Sequence, residues 1–283
     1  MNIGVLGGGS WGTTVAHLLS RRYDVTLWAR NSDIADEINA HHTNDRYLSS
    51  APLSPKLQAT DQLQAATRGQ SVLVMAIPAQ NFRAVLTDAA RYLDPLTPIV
   101  SLSKGLEFST GARMTEIIQA VCPDHPAAVL TGPNLAQEIM AGFAAASVLA
   151  TPNPCDQSHL QRIFHSPLFR VYTNEDVIGC ELCGVLKNII AIAAGMSDGL
   201  GAGNNTRAAI ITRGLAEMTR LGLAMGAKAE TFSGLAGMGD LVTTCTSAQS
   251  RNHTVGFKLG QGNSIDSIIQ DMFMVAEGIK SAP

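Results

Sequence analysis

The chain carries two kinds of hydrophobic pattern, and it changes from one to the other near residue 173. Before that point, short apolar runs at Ile3 to Leu6, Asp24 to Trp28, Ser71 to Ile77, Ile99 to Leu102, Ala127 to Leu130 and Ala145 to Leu149 alternate with longer, mixed stretches. "SVLVMAI", bounded by Gly69 and Pro78, shows no polar alternation, the mark of a strand buried on both faces. Helical spacing predicts helices over Thr13 to Arg21, from a Ser32 cap through Ile38, over Phe82 to Leu93 and over Met114 to Val121. A loop rich in Asn, Ser and Pro runs through Pro55. Strands alternating with helices imply a parallel, doubly wound sheet.

Beyond Thr173 the pattern is helical. "DVIGCELCGVLKNIIAIAAGMSDGL" and "TRAAIITRGLAEMTRLGLAMGA" read as long helices, and no strand is expected after them. The fold class is therefore α/β, with a Rossmann-like domain over 1–173 followed by an all-α domain over 174–283. Gly201-Ala202-Gly203 and Gly237-Met238-Gly239 follow no strand and are expected to be loops.

The first strand is followed by "GGGSWG", in which Gly7, Gly9 and Gly12 match G-x-G-x-x-G. The first glycine permits a tight turn, the second lets a diphosphate approach the backbone, and the third lets helix and strand pack closely. Unpaired N–H groups at the helix start then face the anion. Strand, turn, helix and second strand fall within about thirty residues, the βαβ unit that this fingerprint requires. At the end of the second strand, where NAD-selective sites place an acidic residue, the chain reads Ala29-Arg30-Asn31. Arg30 can pair with a 2′-phosphate, so the expectation is NADP(H) with NAD(H) tolerated; the bland reading is a solvated arginine at a strand end.

Composition narrows the partners. With 283 residues, 46% hydrophobic, and a net charge of −3, the chain fills a sizeable core and has no basic excess for nucleic acid. Of five cysteines only Cys180 and Cys183 lie close together, inside an expected helix and without a second pair, so they read as core thiols in a reducing compartment and not as metal ligands. No uninterrupted apolar segment reaches the roughly 20 residues that span a bilayer. No secretory leader is evident, so a cytoplasmic address without stable membrane insertion is expected.

In such a sheet, ligands bind beyond the carboxyl ends of the strands. Pro78 to Asn81, Ser103-Lys104-Gly105 and Gly132-Pro133-Asn134 lie there. Lys104 suits an anionic ligand. Lys187 stands among Leu182, Val185, Leu186, Ile189, Ile190 and Ile192, where a lysine either snorkels to solvent or is buried with its pKa drawn toward neutrality, as a general acid or base requires. Asp240, in an expected flexible glycine loop, could bring a carboxylate to it. Ser250, Arg251 and Asn252 offer donors suited to phosphate oxygens.

"GGGSWGT", "SLSKGLE", "LTGPNLAQEI", "ELCGVLKNIIAIAAGMSDGL", "TRGLAEM", "GLAGMGDLVTTCTSAQSRN" and "AEGIKSA" follow one another as they do in NAD(P)-dependent glycerol-3-phosphate dehydrogenases of the bacterial soluble type, which the chain resembles over nearly its whole length. The resemblance implies reversible reduction of dihydroxyacetone phosphate to sn-glycerol 3-phosphate, feeding glycerophospholipid synthesis. It implies Lys187 as proton donor and acceptor, aided by Asp240 and Lys104. Substrate contacts are implied for Lys104, Gly132, Asn134, Lys187, Asn188, Asp240, Thr244, Ser250, Arg251 and Asn252. Cofactor contacts are implied for Ser10, Trp11, Arg30, Lys104, Ala136, Arg251 and Glu277, beside Gly7, Gly9 and Gly12. Asn134 stands where many relatives carry Ser or Thr. A small phosphorylated substrate and a homodimer complete the expectation, with no metal.

One departure is that the sequence stops at Pro283, soon after "AEGIKSA", where the family continues, so the helical domain is expected to be shortened and its stability or dimerisation weakened. The rival readings are a dehydrogenase of another hydroxy acid and a non-catalytic NADPH-binding sensor.

Overall fold

The computed structural model describes residues 1–49, 51–272 and 277–281, the side chains of 280 and 281 aside. Eight strands form one sheet: β1 Asn2–Leu6, β2 Asp24–Trp28, β3 Gln58–Thr60, β4 Val72–Met75, β5 Ile99–Ser101, β6 Ala127–Thr131, β7 Ala145–Ala150 and β8 Phe169–Asn174, in the order β3-β2-β1-β4-β5-β6-β7-β8. All neighbours pair parallel except β6 and β7. The doubly wound, mainly parallel sheet expected from the pattern is therefore present. The sequence did not announce β3 and β8, because β3 has only three residues and the exposed positions of β8 carry polar side chains or Tyr172.

The apolar runs work as double-faced strands. In β4, Val72 and Val74 enter one core with Ile3, Val5 and Leu27, while Leu73 and Met75 enter the opposite one with Leu6, Phe82 and Ile117. Period-two alternation of the side chains sends each neighbour to the other face. Strand order reverses at β1, whose neighbours are β2 and β4, so a crevice opens at the carboxyl ends there.

Several local expectations change. Asn31, not Ser32, caps the helix Ser32–His41, its side chain accepting from the Asp33 N–H. An amide one residue earlier reaches the first turn, and Ser32 is already helical. Ala79 to Asn81 form the first turn of the helix Ala79–Ala90 rather than a loop, because Pro78 presents the extended conformation that precedes a helix. Asp45–Leu48 is a short helix inside the polar loop, held by buried Leu48.

From Val177 the elements are helical. Helix Val177–Gly199 is capped by Asp176, which accepts from the Gly179 N–H at 2.9 Å. Among the described residues it alone is long and apolar enough to cross a membrane, with mean hydropathy 1.8. It instead packs inside the protein, against the helices Gly203–Ala224 and Arg251–Gly260 and against β6. Cβ atoms added at Gly195 and Gly256 would lie 2.1 Å from the His253 carbonyl oxygen and 2.0 Å from that of Ile192, so glycine is what lets the helices touch backbone to backbone. Cys180 and Cys183 are free and buried there, with thiol pKa values pushed up by burial.

Two glycine loops resolve differently from expectation. Gly203 begins the helix Gly203–Ala224, and Leu235–Gly239 is a π-helical turn in which the Gly239 N–H bonds the Gly234 carbonyl. That turn runs straight into the helix Asp240–Thr246. Asp240 thus sits on a rigid helix start and not on a flexible loop.

Candidate active site

The glycine turn lies at the crevice. Gly7 adopts φ +121°, in the region that favours glycine, and a Cβ there would meet the Ala76 carbonyl oxygen at 2.4 Å. A Cβ on Gly12 would fall 2.0 Å from the Gly7 carbonyl oxygen, so the helix Ser10–Ser20 is pressed against the turn. At Gly9 a Cβ would meet nothing within 4 Å. The helix starts there without a side-chain cap, leaving its first N–H groups to an anion. This open, donor-lined backbone fits a dinucleotide diphosphate. Ser10 and Trp11 follow on the first helical turn, and Trp11 tilts against Phe169 with centroids 6.1 Å apart. Ala136, at the start of the helix Ala136–Met140, is half-buried beside the same core, and Arg30 is exposed at the end of β2.

Facing the strand ends is a cluster of three charges. The Lys187 ammonium donates to Asp240 Oδ1 at 2.6 Å and to Thr244 Oγ1 at 2.7 Å. Lys104, from the loop after β5, donates to Asp240 Oδ2 at 2.6 Å and to the Gly132 carbonyl at 2.8 Å. The Thr244 hydroxyl in turn donates to the Asp240 backbone carbonyl at 2.6 Å. Each ammonium has three N–H groups, so among the described residues these contacts leave one on each lysine uncommitted. Gly184, one turn before Lys187, makes room for the chain of Lys104, whose Cγ would lie 3.3 Å from an added Cβ.

Burial governs the electrostatics. Lys187 is 6% exposed and Asp240 2%. Loss of water draws the Lys187 pKa down to about 8, with the Lys104 charge pushing the same way and Asp240 opposing. For Asp240 burial pushes up, but the two ammonium groups outweigh it and hold the carboxyl below the usual range. Lys187 does not snorkel: its partners lie inward.

Asn188 donates weakly to the Lys104 carbonyl at 3.4 Å and accepts from Asn252 at 2.9 Å, while Asn252 Oδ1 accepts from the Gly278 N–H at 3.0 Å. Asn252 is thereby tied at both ends, with one amide N–H unclaimed among the described residues. Ser250 caps the helix Arg251–Gly260 by accepting from the His253 N–H. The Arg251 guanidinium is reached by solvent yet crowded by protein, which lowers its pKa, and the Glu277 charge opposes that. Glu277 also accepts from the Ala79 N–H at 3.3 Å, linking the helical segment to the helix after β4. Asn134 stands apart from the charge cluster's bonds: its amide donates to Ser147 at 3.0 Å. The "AEGIKSA" stretch lies partly outside the described residues.

Comparison with known proteins settles the ancestry. The family model described as NAD-dependent glycerol-3-phosphate dehydrogenase N-terminus matches residues 2–156, and the one described as its C-terminus matches 176–283. The chain belongs to the NAD-dependent glycerol-3-phosphate dehydrogenase family. Within that family it is 59% identical over 283 residues to glycerol-3-phosphate dehydrogenase [NAD(P)+] 2 of Sphingopyxis alaskensis, covering 100% of this chain and 85% of the relative. It is 52% identical over 279 residues to a glycerol-3-phosphate dehydrogenase [NAD(P)+] of Mycobacterium avium, covering 98% and 82%. The crystal structure of glycerol-3-phosphate dehydrogenase from Coxiella burnetii superposes with TM-score 0.95 at 42% identity, covering 99% of this chain and 86% of that one.

Sequence reasoning missed a second charged bridge, between the start of the helix Met114–Val121 and the long helix Val177–Gly199. Glu181, 6% exposed, accepts from Arg113 at 2.6 Å and from the Thr115 N–H at 2.9 Å, fastening the long helix one and a half turns before Lys187. An acidic residue in an apolar helical run, six positions before the lysine, was the available signal.

Proposed function

We propose that this chain reversibly reduces dihydroxyacetone phosphate to sn-glycerol 3-phosphate with NADP(H) or NAD(H). The observation that carries the reading is the buried Lys187–Asp240–Lys104 cluster at the carboxyl edge of the sheet beside the glycine turn. Family membership and the names of its relatives support the same substrate and cofactor.

A nicotinamide bound here would supply the hydride for the substrate carbon. Gly7, Gly9, Ser10, Trp11 and Gly12 would hold the dinucleotide, together with Arg30, Ala136, Lys104, Arg251 and Glu277. Lys187 gives its uncommitted proton to the carbonyl oxygen as negative charge grows there, and takes it back in the reverse direction. A pKa of about 8 suits both directions near neutral pH. Asp240 keeps the two ammonium groups in place, and Lys104 adds a positive charge where the oxyanion develops. Arg251, with the donors of Asn252 and Ser250, grips the substrate phosphate, whose binding energy orients the carbonyl. Asn188, Thr244, Gly132 and Asn134 complete the substrate pocket.

The proposal includes a division at residue 173 into a dinucleotide-binding domain and a catalytic helical domain, a cytoplasmic homodimer, and a product destined for glycerophospholipid synthesis. The test follows absorbance at 340 nm with NADPH and dihydroxyacetone phosphate, with unphosphorylated dihydroxyacetone and NADH in parallel. Phosphate-dependent oxidation is expected; equal turnover of the unphosphorylated ketone would overturn the substrate.

A further inference from the structure

We infer that Asn44 is a positioning residue for the cofactor, clamping the Gly8–Gly9 peptide so that its N–H faces the dinucleotide diphosphate. The inference rests on the dinucleotide-binding reading above. Asn44 belongs to the polar loop after the helix Ser32–His41, a segment that the proposed mechanism does not otherwise use. It is 1% exposed, and its amide N–H groups donate to the Gly8 carbonyl at 3.0 Å and to Thr13 Oγ1 at 2.9 Å. The Gly8 carbonyl is only an acceptor, so the amide face turned to it must be the NH2 group. Oδ1 is buried without a partner among the described residues. The side chain is therefore ordered by the glycine turn and not by its own loop.

The consequence follows from peptide geometry. No peptide among the described residues is cis, so the Gly8 carbonyl and the Gly9 N–H point in opposite directions from one plane. Asn44 holds the carbonyl toward the interior, which turns the Gly9 N–H the opposite way, where no hydrogen bond among the described residues takes it. Glycine on both sides of this peptide makes it easy to flip, since neither residue carries a Cβ to restrict its dihedrals. Flipped, it would present an oxygen to the phosphates instead of a donor. The far side of Asn44 is itself held: its carbonyl accepts from the Tyr47 and Leu48 N–H groups at 3.0 and 2.8 Å, and Leu48 is buried.

The experiment compares the full chain with its Asn44→Ala, Asn44→Leu and Thr13→Val variants, titrating NADPH and adenosine 2′-monophosphate, which lacks the diphosphate. Circular dichroism melts show which variants are folded; Asn44→Leu fills the space that Asn44→Ala empties. For folded Asn44 variants the Kd for NADPH is expected to rise about tenfold, the effect of losing one hydrogen bond. Adenosine 2′-monophosphate should bind within about twofold of wild type, and so should both ligands to Thr13→Val, which spares the Gly8 bond. Unchanged NADPH affinity, equal loss of both ligands, or an equal loss in Thr13→Val would overturn the clamp. A folded wild-type chain that binds no NADPH would overturn the dinucleotide reading instead.

Discussion

The glycine turn and the Lys187–Asp240–Lys104 cluster both lie at the carboxyl edge of the sheet but are built by opposite means. The turn is made of backbone from one short stretch, Gly7 to Gly12, and offers N–H groups to an anion. The cluster is made of side chains from the loop after β5, the middle of a long helix and the start of another, and it buries charge. A backbone site depends on what is absent, namely Cβ atoms, whereas a charge cluster depends on every partner being present. Removing one partner of such a cluster leaves an uncompensated charge out of water.

The sharpest break of this comparison is Lys187→Ala, expected to lower kcat by roughly 10²–10⁴ while NADPH still binds. Steady-state kinetics with a binding titration checks it, and near-normal turnover would remove Lys187 from the chemistry. Next comes pH. With the Lys187 pKa lowered to about 8, ketone reduction needs the ammonium and should fall as pH rises through about 8, while alcohol oxidation needs the amine and should rise there. Asp240→Asn removes the charge that holds the lysine's pKa up, so both limbs should move to lower pH, with kcat reduced roughly 10²-fold at neutral pH. Limbs that stay in place would assign the titration to another group. The smallest effect belongs to the turn side: Arg30→Ala should raise KM for NADPH about tenfold and leave NADH unchanged, because only the 2′-phosphate loses a charged partner. Equal change with both cofactors would return Arg30 to a solvated side chain.

The two sites also differ in how legible they were. Gly7, Gly9 and Gly12 were readable because turn, close approach and helix start follow from local dihedrals and contacts at fixed spacing. Lys104, Lys187 and Asp240 could each be singled out by type and neighbourhood, or by likeness to a family. That Asp240 would take one lysine on each carboxylate oxygen could not be read, since the residues lie far apart in the chain. The misreading of Gly237 to Gly239 as a flexible loop has the same root. Glycine frees a backbone locally, but here the chain uses it inside a π turn. Asn44 and Glu181 gave even less notice, because a polar residue in a polar loop, or one acid in an apolar helix, has no periodic signature.

The sequence by itself determined the alternation of buried strands and helices, the change to helices toward the C-terminal part, the glycine turn after the first strand and the family. These are written in side-chain periodicity and short-range spacing, which fold as they are read. Only the tertiary structure decided the strand order, the inward aim of Lys187, the sharing of Asp240 between two lysines and the hold of Asn44 on Gly8. Each of those is a contact between distant parts of the chain, set when burial brings surfaces together and their polar groups must find partners there.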